Sequence, residues 1–133
     1  IAAKNSLLNT PPTFPIYMVK LVTDWVLKQG GLVAMEETNA QKAKTLYDAV
    51  DGEFYRPHAD RESRSQMNVT FRLQSEELEQ QFVDVCSAEG LLFVKGHRSV
   101  GGIRASLYNA VSLEAAQALA AQMDDFRARH ASA

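Results

Sequence analysis

With 133 residues, 46% of them hydrophobic and 23% charged, the chain has the size and composition of one globular domain. Fourteen Lys and Arg against 16 Asp and Glu leave a net charge of −2, which excludes a general electrostatic attraction to nucleic acid or to an anionic membrane. No apolar run approaches the roughly 18–20 residues that span a bilayer, and Cys86, as the single cysteine, excludes an intrachain disulfide and fits a reducing compartment.

The sequence opens on Ile1 with no signal-peptide pattern, and a longer protein is expected around it. Residues 1–8 show no period, and Leu7 and Leu8 are expected to pack against an upstream part. Asn9-Thr10-Pro11-Pro12 is extended, because proline restricts the residue before it. A helix is expected over 16–29, apolar at Ile16, Val19, Val22 and Val26 and also at Met18, Leu21 and Trp25, a stripe broad enough to pack on two sides. Gly30-Gly31 stops it. A second helix is expected over 36–50, with Ala40, Ala43, Leu46, Tyr47 and Val50 inward and Glu36 and Glu37 at its positive end.

Residues 54–64 are polar, contain Pro57 and read as a loop. Met67, Val69, Phe71 and Leu73 alternate with Asn68, Thr70 and Arg72, the pattern of a half-buried strand. Ser75 caps a helix that turns Leu78, Phe82, Val85 and Cys86 inward and ends at Gly90. Residues 91–94 are expected to form a short apolar strand. Ser112 caps a last helix with Ala116, Leu119, Ala120, Met123 and Phe126 inside and Arg127, Arg129 and His130 at its negative end. The order helix, helix, strand, helix, strand, strand, helix describes an α+β domain of two layers, a small sheet with helices packed on one face.

The stretch 95–110, KGHRSVGGIRASLYNA, gathers Lys95, His97, Arg98 and Arg104 around Gly96, Gly101 and Gly102. The glycines permit a tight turn between strands. Beyond the turn, Ile103, Ala105 and Leu107 alternate with Arg104, Ser106 and Tyr108, which puts Arg104 on the face opposite Ile103. An arginine fixed on a strand suits bidentate recognition of a carboxylate or phosphate. On composition alone, a glycine-rich turn among basic residues is more often a solvated hairpin than a site. Elsewhere the chemistry is sparse. His58, His97 and His130 are scattered, no metal-ligand spacing occurs, and Cys86 lies on an apolar helix face as an inert thiol.

Three stretches together resemble one family. KGHRSVGGIRASLYNA is similar to the C-terminal signature of the phosphoserine aminotransferases, pyridoxal-phosphate-dependent enzymes of fold type I. Asn9-Thr10-Pro11-Pro12-Thr13-Phe14 resembles the segment leading from that family's large domain into its small one. Arg64-Ser65-Gln66-Met67-Asn68-Val69-Thr70-Phe71 resembles the first strand of its small domain. The resemblance implies a connecting segment over 1–15 and the small domain, with connecting helices, over 16–133. It implies Arg104 as the clamp on the substrate α-carboxylate and His97 and Arg98 as holders of the distal anion, the phosphate of phosphoserine or the γ-carboxylate of L-glutamate. It implies Asn9 and Thr10 as contacts to the phosphate of pyridoxal 5′-phosphate in the neighbouring subunit of a homodimer.

The activity implied for the whole protein is amino transfer between L-glutamate and 3-phosphohydroxypyruvate, giving phosphoserine and 2-oxoglutarate in cytoplasmic serine synthesis. Some members of the family also act in pyridoxine synthesis. None of Lys4, Lys20, Lys28, Lys42, Lys44 and Lys95 lies in a segment like the family's Schiff-base segment, so the stretch in hand carries no catalytic residue and is expected to be inactive alone. The rival reading is a non-enzymatic α+β module that binds an anion or a partner through the glycine turn.

Overall fold

A computed structural model describes residues 3, 5 and 9–131. Lys4, Leu7 and Leu8 lie outside the described residues. The chain divides into two compact units, Ile1–Glu36 and Glu37–Ala133.

The first unit holds helix α1 (Thr13–Lys28) and the start of helix α2 (Gly31–Val50). α1 begins ahead of the expected Ile16, and Pro15 sits in its first turn, where no backbone N–H is missed. Its apolar stripe is not buried: α1 buries none of its residues, and Phe14 and Leu27 are 72% and 71% exposed. The expectation of packing on two sides is thus unmet among the described residues. An apolar period marks a face that needs cover and says nothing of where the cover comes from. Gly30 and Gly31 have φ of 100° and 78° and end α1 as expected, but α2 starts at once on Gly31. Glu36 and Glu37 therefore stand in its second turn, beyond the positive end expected for them.

The second unit is built on a three-stranded antiparallel sheet in the order β1 (Arg56–Pro57), β2 (Asn68–Arg72), β3 (Ile103–Ser106). Val69, Phe71 and Leu73 from β2 and Ile103, Ala105 and Leu107 from β3 enter one core with Leu46 and Val50 of α2. Phe82 and Cys86 of helix α3 (Glu76–Ala88) and Ala116, Leu119, Met123 and Phe126 of helix α4 (Leu113–His130) complete it. Tyr55, Phe71, Phe82 and Phe126 meet edge to face, with ring centroids 5.1–6.2 Å apart. The Tyr55 hydroxyl, whose ionisation burial pushes well above the ordinary tyrosine range, donates to the Met123 carbonyl at 2.8 Å. Ser75 and Ser112 cap α3 and α4 as expected, each accepting from the backbone N–H three residues on, of Leu78 and Ala115.

Two elements differ from expectation. The polar stretch 54–64 contains β1 and a short 3-10 turn, Arg61–Ser63. Pro57 has no N–H to offer and is tolerated because β1 lies at the sheet edge. Residues 91–94 form no strand. α3 ends in a Schellman motif, with Gly90 N–H bonded to Ser87 O at 3.1 Å and Leu91 N–H to Cys86 O at 2.8 Å, so Leu91 is spent on the helix stop. Phe93 follows with φ of 62°, which no extended strand accommodates. Only Lys95 pairs with Ile103 as an isolated bridge. Among the described residues no helix is long and apolar enough to cross a membrane.

Candidate functional site

The glycine stretch closes on itself. Gly96 N–H donates to Gly102 O at 2.7 Å, and the N–H groups of Val100 and Gly101 both donate to His97 O, at 2.9 and 2.7 Å. A Cβ on Gly96 would stand 2.0 Å from Gly101 O, and one on Gly102, where φ is +71°, would stand 2.7 Å from Phe71 O. Only glycine allows the two limbs to approach this closely. The turn holds His97 and Arg98 exposed to solvent, and the His97 Nδ1 lies 2.7 Å from Ser99 Oγ.

Arg104 lies on the sheet face opposite the core, as the alternation requires. It pairs with Thr70 of β2, and its flanking residues Ile103 and Ala105 are buried. The guanidinium is half-buried. Its Nε is buried with no hydrogen-bond partner among the described residues, an orphan donor of the kind that calls for an acceptor from outside. A cleft of about 110 Å³ opens there, lined by Arg104, His97, Thr70 and His58 among others. A neighbouring cleft of about 270 Å³ is lined by His97 and Arg98 together with Lys95 and the N-terminal turn of α3. His97 thus borders both clefts, with Arg104 on one side and Arg98 on the other. Arginine and histidine donors around two adjoining hollows, the larger of them also lined by Glu76 and Glu79, suit a ligand with two anionic groups.

Two residues of this surface were not singled out in the sequence. His58 follows β1, and its N–H bonds to Thr70 O at 3.0 Å, so His58, Thr70 and Arg104 form one row across the sheet. Arg72 links the glycine turn to α3: Nη1 donates to Val100 O at 2.7 Å and Nε to Glu79 at 2.7 Å. The polar phase of the β2 alternation marks Arg72 as facing this side, but its partners lie in other elements.

Asn9 and Thr10 belong to the first unit. Both are exposed, and their side chains have no hydrogen-bond partner among the described residues. Among the described lysines, Lys28 is exposed in the last turn of α1, and the other four are engaged in other ways. Lys20 pairs with Asp24 and Lys44 with Asp48 along their own helices, and Lys95 bonds to Gln80. Lys42 is fully buried and donates to the carbonyls of Leu107, Tyr108 and Val111 at 3.2, 3.0 and 2.9 Å; burial lowers its pKa. The buried thiol of Cys86 is pushed up to about 11, which keeps it protonated and inert. No group of three or more metal-binding side chains occurs among the described residues.

The chain matches the family model described as Aminotransferase class-V over residues 2–119. It is 59% identical over 129 residues to phosphoserine aminotransferase of Geobacillus kaustophilus, and 55% identical over 130 residues to that of Herpetosiphon aurantiacus. In each case the match covers 96% of the chain but 36% of the relative, so the chain spans about a third of the length of these proteins. Its fold is similar to that of phosphoserine aminotransferase from Bacillus circulans subsp. alkalophilus, with a TM-score of 0.88 at 53% identity over 96% of the chain and 36% of the other. It is also similar to the pyridoxal-phosphate-bound phosphoserine aminotransferase from Trichomonas vaginalis, with a TM-score of 0.83 at 39% identity over 92% of the chain and 36% of the other. Together with an α+β domain whose open sheet face presents an unpartnered arginine beside a glycine turn, these likenesses leave one conclusion: the chain belongs to the class-V aminotransferases.

Proposed function

We propose that the full-length protein containing this chain transfers an amino group between L-glutamate and 3-phosphohydroxypyruvate, giving O-phospho-L-serine and 2-oxoglutarate, as a step of cytoplasmic serine biosynthesis. The observation that carries the reading is Arg104, with its buried orphan Nε in the same cleft as His97. Every substrate and product of this reaction bears an α-carboxylate, and each bears a second anion. Arg104 binds the α-carboxylate as a planar two-pronged donor. His97 and Arg98 bind the distal anion from the turn, and the two adjoining clefts match the two ends of such a molecule. In this reading residues 1–15 connect to a large domain, and residues 16–133 make up the small domain with its connecting helices.

Pyridoxal phosphate, when bound, supplies the electron sink for amino transfer. The residues in hand fit only its phosphate: Asn9 and Thr10 have free polar side chains exposed ahead of α1, and we assign them to the cofactor phosphate held by the neighbouring subunit of a homodimer. The engaged lysines do not fit the cofactor's carbonyl, and that partner is assigned to the large domain.

Arg104→Lys in the full-length protein tests the reading. Lysine keeps the charge and loses the fork, so kcat/KM should fall roughly ten- to a hundredfold, the worth of one charge-assisted hydrogen bond, and by similar factors for glutamate and phosphoserine. Bound cofactor, read from its visible absorbance, should stay near normal. Loss with one substrate only, or loss of cofactor, would remove Arg104 from the α-carboxylate.

A further inference from the structure

The turn that carries His97 and Arg98 is tied down by very little. Its internal bonds run from Val100 and Gly101 back to His97, and from Gly96 to Gly102. Among the described residues, a single hydrogen bond joins residues 97–101 to the rest of the unit, from Arg72 Nη1 to Val100 O at 2.7 Å. The other end of that guanidinium is fixed. Arg72 Nε donates at 2.7 Å to Glu79 Oε1, which also accepts the Leu73 N–H at 3.3 Å and is 7% exposed. The turn is fitted around this side chain. A Cβ on Gly102 would stand 2.5 Å from Arg72 Cδ, and one on Gly101 would stand 3.3 Å from Arg72 Nη1. Glycine at 101 and 102 thus serves two needs, positive φ and room for Arg72.

We propose that Arg72 is the positioning residue of the distal-anion site. Anchored by Glu79 on α3, it holds the 97–101 turn in the place where His97 and Arg98 meet the substrate's second anion. The inference rests on the proposed function for the roles of His97 and Arg98; the clamp itself rests on the bonds above. Arg72 touches no substrate in this scheme. Its contribution is order: a turn held by one bond wanders when that bond is cut, and the donors it carries then bind at the cost of immobilising them.

The test uses the full-length holoenzyme and the variants Arg72→Ala, Arg72→Lys and Arg98→Ala. Hydrogen exchange read by mass spectrometry on the peptide spanning 96–102 reports the clamp, with an α4 peptide as internal reference. The ratio of kcat/KM for phosphoserine to that for alanine, which has no distal anion, reports the site. Arg72→Ala should speed exchange of the turn about tenfold with α4 unchanged, and should lower the ratio about tenfold, the worth of one charge-assisted bond. Arg72→Lys reaches one of the two acceptors and should fall between. Arg98→Ala should lower the ratio with turn exchange unchanged. Unchanged turn exchange in Arg72→Ala overturns the proposal, as does faster exchange with an unchanged ratio where Arg98→Ala lowers it. If Arg98→Ala itself leaves the ratio alone, the site reading fails, and turn exchange alone decides for or against the clamp.

Discussion

Lys42→Met is the substitution whose outcome the structure constrains most tightly. The ammonium has no acidic partner among the described residues; its three donors end on the carbonyls of Leu107, Tyr108 and Val111, the segment that follows β3. Methionine has nearly the shape and none of the donors. Leaving a buried carbonyl unpaired costs about 1–3 kcal/mol. The Leu107 bond is buried, while those to Tyr108 and Val111 are part-buried, so water recovers some of their loss. Apolar burial of the methionine returns about 1 kcal/mol. The net expectation is a loss of about 2–3 kcal/mol, or about 1–2 M in the urea midpoint at a typical slope, followed by circular dichroism.

The pH dependence has a definite sign. Burial lowers the folded pKa of Lys42 below its ordinary lysine value. Between those two values the unfolded chain binds the proton that the folded chain has released, so the wild type gains stability as pH rises through that window. The variant lacks this increment, and the gap between the two proteins should widen toward alkaline pH. An unchanged urea midpoint at neutral pH would refute the three-carbonyl anchor, and a gap that narrows on raising pH would refute the lowered pKa of the buried ammonium.

In the full-length enzyme, His97→Ala should lower kcat/KM for phosphoserine roughly ten- to a hundredfold while alanine turnover changes little; steady-state kinetics with both substrates checks it. Asp51→Asn removes a forked pair with Arg64, whose guanidinium holds the Asp51 carboxyl below its ordinary range. It should cost about 1–2 kcal/mol at pH 7; because the wild-type contribution is lost as pH falls through the depressed value, the difference in urea midpoint should close in acid. Gly102→Ala places a Cβ against Phe71 O and Arg72 with φ at +71°, and should lose at least the 1–2 kcal/mol, roughly, of a left-handed residue, seen as a lower melting temperature. The 133-residue chain mixed with pyridoxal phosphate should show no stoichiometric borohydride-trappable adduct at a single lysine, because the described lysines are engaged or lie exposed on helix surfaces.

β2, α3 and α4 were legible because local chemistry and tertiary packing agree there: strict alternation, a serine cap at each helix and an apolar face that meets the core. β1 was not legible. Two residues that include a proline carry no period, and their strand character comes wholly from pairing Arg56 with Arg72 and Pro57 with Phe71. Residues 91–94 misled for the opposite reason, since an apolar run promises a strand, while the helix stop at Gly90 and the left-handed Phe93 break it. The double glycine signals a helix stop and is also the start of α2. At the site, alternation was enough to place Arg104 opposite Ile103. The position of His58 needed the register of three strands, and the role of Arg72 needed a carboxylate seven residues on and a carbonyl 28 residues on.

That register explains why so small a sheet can hold an arginine on the face opposite its core. Side chains alternate between faces with a period of two, so a slip of one residue between β2 and β3 would drive Arg104 toward Phe82 and Phe126 and expose Ile103. Burial of Ile103, Ala105 and Leu107, at 1–3% exposure, makes such a slip cost several buried side chains at once. The strand is also fixed at both ends by side chains from other elements: Arg72 ties down the turn that precedes it, and Lys42 ties down the segment that follows it. Neither cation faces a free anion in doing so, for one spends its charge on Glu79 and a carbonyl and the other on three carbonyls. The free donor capacity of this surface is thereby concentrated on Arg104 and on the exposed turn with His97 and Arg98. Under the proposed function, the arginines left to meet a bis-anionic ligand are Arg104 and Arg98, while Arg72 and Lys42 are already occupied in holding the strand and its turn.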